Sequence, residues 1–214
     1  MKIFLDSADV EAIRRANDTG LLDGVTTNPS HIFKTGAKFS DVVKEICSVV
    51  SGPVSAEVMA EDSEGMVREA EQVSQIAANV YIKIPMTVEG LKAVPVLEAK
   101  GIHTNVTMVF SSTQAYLAMK AGATFVSIVL SRLDAIANES EILVDDAVLI
   151  KRNYGFSTQV LAASMKTQNH VLAALRAGAD ISTMPEALFF QLYRHLLTDA
   201  GLEQFSRDWA KVPK

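Results

Sequence analysis

Short apolar runs alternate with longer segments of mixed polarity, and this alternation repeats along the whole chain. The runs lie at 2–5, 24–27, 54–58, 80–84, 102–108, 124–130, 159–163 and 180–184. Several are almost continuously apolar, as in NVYIKIP, which is typical of parallel strands covered on both faces. Between the runs lie helix-like segments with polar starts. Eight strand-then-helix units in one short chain predict a (β/α)₈ barrel.

The junctions between helices and strands share one pattern. Three segments, LEAKGIHTNVTMV (97–109), AMKAGATFVSIVL (118–130) and ALRAGADISTMP (174–185), each carry Lys or Arg, then Gly, then a strand. Cations are favoured at the negative end of a helix, and glycine readily adopts the left-handed conformation that ends one. At the helix starts, Ser63, Thr87 and Thr167 are the predicted N-caps.

These features predict that residues 1–214 form one α/β domain, a single-domain (β/α)₈ TIM barrel with an extra C-terminal helix. A doubly wound open sheet is the structural alternative, but no glycine-rich phosphate-binding turn follows the first strand. Pro95 lies inside the helix predicted at about 88–100, where it removes a backbone hydrogen bond. A kink or a break is therefore expected at Pro95.

Composition and charge narrow the class of function. Of the 214 residues, 49% are hydrophobic, and the net charge of −5 comes without any Lys/Arg run, so no nucleic-acid partner is expected. No apolar run is long enough to span a bilayer, and no signal-peptide pattern opens the chain. The single Cys47 suits a reducing compartment and reads as a small buried hydrophobe. We therefore expect a cytoplasmic protein without a membrane partner.

The histidines give no sign of a metal site. His31, His103, His170 and His195 lack the spacing of metal ligands, so no metal or organic cofactor is expected. His103 should lie near the start of its strand, as a histidine of the core.

Polar side chains interrupt the ends of the apolar runs. In a barrel, alternate strand residues point inward, and the active site lies at the C-terminal strand ends. The polar residues at these positions are Asp6, Asn28, Glu57, Lys83, Asn105, Thr107, Ser127 and Ser164. Because they follow different strands of one predicted barrel, we expect them to converge on one site.

Lys83 is the most informative of these residues. Its neighbours Ile82 and Ile84 predict a buried strand, and burial disfavours the ammonium form. The neutral amine is the form that attacks a carbonyl, so Lys83 is a candidate nucleophile. The alternative is a purely structural ion pair with Glu57 or Asp6. Both carboxylates could instead move protons, and Asp6 could also cap the helix of DSADVEAI.

A cationic group follows the later strands. Arg132, Ser164 and Lys166 lie just past strands six and seven, where barrels of this class commonly bind phosphate. Solvated surface charge is the alternative for the two cations. Asn28, Asn105 and Thr107 could hold substrate hydroxyls, or could be ordinary hydrogen-bonding residues of loops and core.

Seven stretches, spread over essentially the whole chain, resemble the transaldolase family, in particular its small single-domain branch that includes the fructose-6-phosphate aldolases. They are IFLDSADVEAI, DGVTTNPS, VSAEVMAED, VYIKIPMTVEGL, IHTNVTMVFSSTQA, LAASMKT and LEQFSRDWAKV. The resemblance implies a phosphosugar substrate, and a decamer or pentamer assembled through a C-terminal helix. It also implies a place in carbohydrate metabolism, in the pentose phosphate pathway.

The resemblance also implies a role for each matching residue. Lys83 would form a Schiff base with the ketose, and Asp6 would take the proton of the C4 hydroxyl. Asn28 and Asn105 would hold the dihydroxyacetone unit, and Glu57 and Thr107 would position a water molecule. Ser127 would line the site, and Arg132, Ser164 and Lys166 would hold the phosphate.

Three positions bear on the reaction and its substrates. Glu57 matches the transaldolases, whereas the fructose-6-phosphate aldolases carry Gln there, so a transferase is expected rather than a lyase that releases dihydroxyacetone. Val129 and Met165 replace aromatic residues of the family, which implies a wider pocket and leaves the sugar and its anionic group open. A non-catalytic sugar-phosphate-binding barrel is the alternative from another class.

Overall fold

Eight parallel strands close into a barrel and neighbour one another in chain order. The computed structural model describes residues 1–213. The strands are β1 (Lys2–Asp6), β2 (Gly24–Thr26), β3 (Val54–Glu57), β4 (Val80–Pro85), β5 (Thr104–Val109), β6 (Phe125–Val129), β7 (Gln159–Ala163) and β8 (Ile181–Met184). Because β1 pairs with both β2 and β8, the sheet has no edge, and the predicted (β/α)₈ barrel is confirmed.

Helices surround the barrel and cover the outer face of its strands. They are α1 (Val10–Asn17), α2 (Pro29–Thr35), α3 (Phe39–Val49), α4 (Ser63–Ser74), α5 (Val88–Ala99), α6 (Ser112–Lys120), α7 (Leu130–Asp134), α8 (Ser140–Tyr154), α9 (Gln168–Ala177), α10 (Glu186–Gln191) and α11 (Leu196–Trp209). The last of them, α11, is the predicted extra C-terminal helix, and it buries none of its residues. Within residues 1–213, every helix is too short or too polar to cross a membrane.

Two of the three predicted N-caps are confirmed. Thr87 and Thr167 each accept a hydrogen bond from the backbone N–H three residues later, as an N-cap does. The prediction for Ser63 is wrong by one residue: the cap of α4 is Asp62, whose carboxylate accepts from Gly65 N. Aspartate caps as well as serine, so the local sequence did not distinguish these neighbours.

Of the kink or break expected at Pro95, the break does not occur, because α5 runs from Val88 to Ala99 through the proline. Pro95 lies on the exposed side of the helix, whereas Ala93, Val94 and Leu97 are buried. The carbonyl group of half-buried Leu91, one turn earlier, is the one that the proline leaves without a partner. Water can hydrogen-bond to it, which reduces the cost of the interruption.

The two faces of each strand contribute to two apolar layers. In β4, Ile82 and Ile84 pack outward against the helices, whereas Tyr81 points into the barrel. The lower interior is filled by an apolar cluster whose buried residues are Phe4, Phe125, Leu161 and Ile181. Because these side chains plug the N-terminal half of the barrel, polar residues can gather only near its C-terminal end.

His103 is not a core residue, contrary to expectation. β5 begins at Thr104, so His103 lies at the lower rim of the barrel with half of its side chain exposed. Its ring stacks on Tyr81, with the centroids 4.7 Å apart. The apolar cluster already fills the interior at this level, which leaves the imidazole outside.

Candidate active site

A cavity of about 380 Å³ opens at the C-terminal ends of the strands. The predicted site residues that line it are Asp6, Asn28, Glu57, Lys83, Thr107, Ser127, Arg132 and Ser164. They come from seven of the eight strands and the segments that follow them, as expected for this fold. Asn105 and Lys166 are the two predicted residues that do not line the cavity.

Lys83 rises from β4 to the floor of the cavity. It lies between outward-facing Ile82 and Ile84, so the two-residue period of the strand directs it inward. Its Nζ donates to the carbonyl oxygen of Thr27 over 3.1 Å and lies 3.3 Å from Oε2 of Glu57. Only 12% of the side chain is exposed. The ion pair that was considered for Lys83 is present, and it lies within the cavity, where a ligand can reach the nitrogen.

Asp6 is held by a chain of hydroxyl groups that the sequence did not predict. Thr26 Oγ1 donates to Asp6 Oδ1 over 2.8 Å, and the Thr183 hydroxyl lies 2.7 Å from Thr26 Oγ1. Since the Thr26 hydrogen is used by Asp6, Thr183 must be the donor in the second contact. Asp6 is not the N-cap of α1, because Asp9 accepts from the first backbone N–H groups of that helix. Its carboxylate is therefore free to face the cavity.

His31 also lines the cavity, and sequence reasoning missed it. Asn28 caps α2 by accepting from His31 N over 2.9 Å, which brings the histidine back over the barrel mouth. Nδ1 of His31 lies 3.9 Å from Oδ1 of Asp6. Burial lowers the pKa of His31; nearby Asp6 opposes this shift, and the charge of Lys83 adds to it. The N-cap motif at Asn28 was the available signal, because it fixes the direction of the first helical turn.

Asn105 lies beneath the cavity and is fully buried. Its Nδ2 donates to Ser55 Oγ over 3.0 Å, and its Oδ1 accepts from Ser127 Oγ over 2.6 Å. Asn105 therefore fixes the hydroxyl of Ser127. With its hydrogen donated downward, the Ser127 oxygen can only accept a hydrogen bond from a molecule in the cavity.

Arg132 and Ser164 lie across the mouth from α2. In a closed ring of eight strands, the loops after β6 and β7 stand opposite those after β2 and β3. The Ser164 hydroxyl lies 2.7 Å from that of Ser131, which joins the two loops. Ser164 has a φ of 56°, a left-handed conformation that is costly for a residue with a Cβ atom. Such strained residues concentrate at binding sites.

Lys166 is exposed at the rim, beyond the lining of the cavity. Its backbone N–H donates to Nδ1 of His170 over 3.2 Å, and Nε2 of His170 lies 3.0 Å from Asp134. This histidine ties the loop after β7 to the end of α7. The Lys166 ammonium group adds positive charge to the mouth without contacting the cavity wall.

Only one of the two aromatic replacements affects the cavity. Val129 lines it, as predicted. The prediction for Met165 is wrong, because its side chain is fully buried in the core between sheet and helices. Ser164 lines the cavity, and Met165, the next residue, points away from the cavity into the core.

Within residues 1–213, no group of three or more His, Cys, Asp or Glu side chains is arranged to hold a metal ion. The single cysteine is partly buried in α3, and burial raises the pKa of its thiol to about 11. Cys47 lies away from the cavity lining.

Comparison with known proteins extends this description. Residues 3–214 match the family model described as Transaldolase/Fructose-6-phosphate aldolase. Curated proteins named "Probable transaldolase" from Geobacter metallireducens and Aquifex aeolicus are each 53% identical over 214 residues, covering 100% of this chain and 100% and 99% of theirs. The counterpart from Coprothermobacter proteolyticus is 54% identical over 213 residues, covering 100% and 98%.

A solved structure shares the fold alone. Inosine 5′-monophosphate dehydrogenase from Legionella pneumophila superposes with a TM-score of 0.62 at 12% identity, covering 88% of this chain and 58% of that one. At this identity the likeness supports the barrel architecture and carries no information on activity.

Proposed function

Because this chain belongs to the transaldolase/fructose-6-phosphate aldolase family, we propose that it is a Schiff-base transaldolase acting on phosphosugars. It would transfer a dihydroxyacetone unit from a ketose phosphate, such as fructose or sedoheptulose phosphate, to an aldose phosphate. The observation that carries this proposal is the Lys83 amine, which lies in the cavity with a carboxylate 3.3 Å away. An amine nucleophile beside a proton acceptor is the requirement for imine formation.

Imine formation uses Lys83, Glu57 and Thr107. Glu57 accepts a proton from the Lys83 ammonium group, and the neutral nitrogen attacks the ketone carbon. The nitrogen passes one of its protons to the former ketone oxygen, and a water molecule held between Glu57 and Thr107 returns the proton from Glu57 to the same oxygen. The oxygen then leaves as water, and a protonated imine remains. Both residues line the cavity next to Lys83, since β3 and β5 are the neighbours of β4.

Carbon–carbon cleavage uses Asp6. Its carboxylate takes the proton of the C4 hydroxyl, the C3–C4 electron pair moves into the protonated imine, and an aldehyde leaves. The remaining three-carbon enamine stays attached to Lys83, with Asn28 and Ser127 near its hydroxyl groups. The attack of the enamine on a second aldehyde reverses these steps and completes the transfer. The apolar plug below limits the access of water to the enamine from the lower half of the barrel.

The sugar phosphate would bind at the mouth. Arg132 offers a planar, charged donor, Ser164 offers a hydroxyl, and Lys166 adds charge from the rim. The two loops that carry these groups are joined through Ser131, which favours a site formed before the ligand arrives. Val129 leaves room beside the imine for a longer or differently shaped ketose.

Transfer is distinguished from simple cleavage by its dependence on an acceptor. We expect fructose 6-phosphate to be consumed steadily only when erythrose 4-phosphate is also present. The Glu57→Gln variant should be slow in transfer and in cleavage alike, because an amide cannot accept the proton that the carboxylate takes from the Lys83 ammonium group. Both products can be measured with coupled enzymes in parallel reactions.

The control is Glu89→Gln. Glu89 is an exposed carboxylate that also pairs with a lysine, Lys92, and it lies outside the cavity. That variant should match the wild type with and without acceptor. Rapid wild-type cleavage of fructose 6-phosphate in the absence of any aldehyde acceptor would instead make the protein a lyase.

The C-terminal helix suggests a homo-oligomer. Leu196, Leu197, Leu202, Phe205 and Trp209 are all large apolar side chains left exposed on α11. Burial of such residues against other copies would be favourable, in line with the proposed pentamer or decamer. Light scattering should report the mass of five or ten chains, and a Phe205→Asp/Trp209→Asp variant should lower it. A monomeric wild type would contradict the proposal.

We also place the enzyme in the cytoplasm, within the pentose phosphate pathway. Phosphorylated sugars are charged metabolites that do not diffuse through membranes, and a chain with one cysteine needs no oxidising compartment.

A further inference from the structure

The His31 imidazole touches the reacting end of the cavity, yet none of the steps above uses it. Nδ1 lies 3.9 Å from Asp6 Oδ1, and the ring lines the cavity beside Asn28. About a quarter of its side chain is exposed, as is about a fifth of that of Asp6. The two groups therefore share one partly enclosed space, into which the substrate hydroxyl would project.

The contacts of His31 favour a neutral ring. The side-chain oxygen of Asn28 already accepts a hydrogen bond from the backbone N–H of His31, so the side-chain NH₂ group of Asn28 must face the His31 ring. Nδ2 of Asn28 lies 3.1 Å from Nδ1 and 3.3 Å from Nε2 of that ring. An imidazolium has no lone pair to accept such a hydrogen, whereas a neutral imidazole has one. In the free protein His31 is therefore ready to receive a proton.

The surrounding charges act in both directions. Asp6 on β1 favours protonation of His31, while Lys83 on β4, Lys34 on α2 and Lys166 after β7 oppose it. The balance can change during the reaction, because formation of the neutral enamine removes the charge on the Lys83 nitrogen and the binding of an anionic phosphate offsets that of Lys166. A histidine whose protonation depends on such neighbours suits reversible proton storage.

One oxygen of the Asp6 carboxylate is already occupied. The Thr26 hydroxyl donates a hydrogen bond to Oδ1 over 2.8 Å. A transferase must nevertheless keep the abstracted proton between the departure of one aldehyde and the arrival of the next. A second acceptor beside Asp6 would meet this requirement.

We propose that His31 and Asp6 form a proton-holding pair, in which His31 stores the proton that Asp6 removes from the substrate. Asp6 takes the C4 hydroxyl proton as the C3–C4 bond breaks, and the proton then crosses the 3.9 Å gap through one water molecule to the unprotonated nitrogen of the His31 ring. That nitrogen gives up its hydrogen bond from Asn28 as it takes the proton. The resulting imidazolium is paired with the Asp6 carboxylate. When the enamine attacks the acceptor aldehyde, its oxygen receives the proton back through Asp6, so no proton is gained or lost. This role rests on the proposed Schiff-base function.

The test compares His31→Gln with the wild type. Glutamine can still accept the Asn28 hydrogen bond but cannot take up a proton. We expect kcat/KM for transfer to fall by roughly 10- to 100-fold near neutral pH, within the range for proton-transfer groups. As the pH is lowered toward about 5, the wild type should lose its higher transfer rate, because His31 becomes protonated before the reaction and can no longer take up the substrate proton. The ratio of wild-type to variant rates should therefore shrink with falling pH.

Two further variants complete the design. His31→Leu fills similar space without any hydrogen bond, so it should show the same pH dependence of the ratio even if His31→Gln folds poorly. His103→Gln, at the opposite end of the barrel, should behave as the wild type. A purely structural role for His31 would give a ratio that is constant across pH, and that result would overturn the proposal.

Hydride trapping separates the two proposals. If the wild type and His31→Gln both give a reduced ketose adduct on Lys83 while transfer rates and pH profiles are equal, only the role of His31 fails. If the wild type gives no adduct with any ketose phosphate, the Schiff-base function itself fails. Both proposals are supported if His31→Gln forms the Lys83 adduct at the normal rate but transfers slowly, and if the ratio of wild-type to variant transfer rates shrinks as the pH falls.

Discussion

The Lys83→Ala variant should lose essentially all turnover, with kcat for transfer reduced by about 10⁴-fold or more, as found when a covalent nucleophile is removed. The remaining residues can still bind the phosphosugar, but without an amine no imine can form to accept the C3–C4 electron pair. The measurement is the rate of acceptor-dependent consumption of fructose 6-phosphate. Borohydride added with the ketose should modify the wild type at Lys83 and leave the variant unmodified, as shown by peptide mapping.

Stability should change little in this variant. The Lys83→Ala change leaves Glu57 without its cation, but the Glu57 side chain lines the cavity, where water can solvate it. The matched control is Lys100→Ala, which removes another lysine–glutamate pair, with Glu71, from the surface. The control should retain full activity and both variants should melt near the wild type. Normal turnover by Lys83→Ala would exclude covalent catalysis by this amine. The protein would then act through a reaction that does not use Lys83.

The Asp6→Asn variant should form the imine but cleave it slowly, with transfer reduced by about 10²- to 10⁴-fold. Asparagine has nearly the same shape and its Oδ1 can still accept from Thr26, so the local hydrogen bonds survive. It cannot take up the proton of the C4 hydroxyl. Hydride trapping should therefore capture mainly the intact ketose on Lys83, whereas the wild type should also give the three-carbon adduct. Intact mass measurement distinguishes the two adducts.

Asp9→Asn is the control for this change. Asp9 is three residues away and caps α1, and asparagine is an equally good N-cap, so fold and activity should both persist. If Asp6→Asn gave no adduct at all, Asp6 would be needed for imine formation rather than for cleavage. Wild-type transfer by the variant would remove Asp6 from the mechanism.

Periodicity in the sequence was sufficient for the barrel and for the direction of its main polar side chains. A two-residue strand period requires that Lys83 point opposite to Ile82 and Ile84, and the structure has it so. The same reasoning brought Glu57 and Thr107 to the cavity with it, because parallel strands end on the same side of a barrel. The helix ends followed from local chemistry, except where Asp62 and Ser63 were both suitable caps.

The height of a side chain along the barrel axis was less predictable from the sequence than its inward or outward direction. Asn105 has the inward direction that its parity requires, yet it lies one layer below the cavity, with both ends of its amide bonded to Ser55 and Ser127. The level of a residue in the barrel depends on the stagger between neighbouring strands, and no short sequence pattern encodes that stagger.

The sequence by itself determined the number of strands, their parallel arrangement and the inward position of Lys83, because these follow from local periodicity. Only the tertiary structure decided which groups surround Asp6. Thr183 reaches it through Thr26 because ring closure places β8 beside β1, and His31 reaches it because an N-cap turns α2 back over the mouth. Met165 turned away for a related reason, since its direction depends on the left-handed backbone at Ser164. Contacts between residues far apart in the chain, and the paths of loops without a repeat, arise only when the barrel closes.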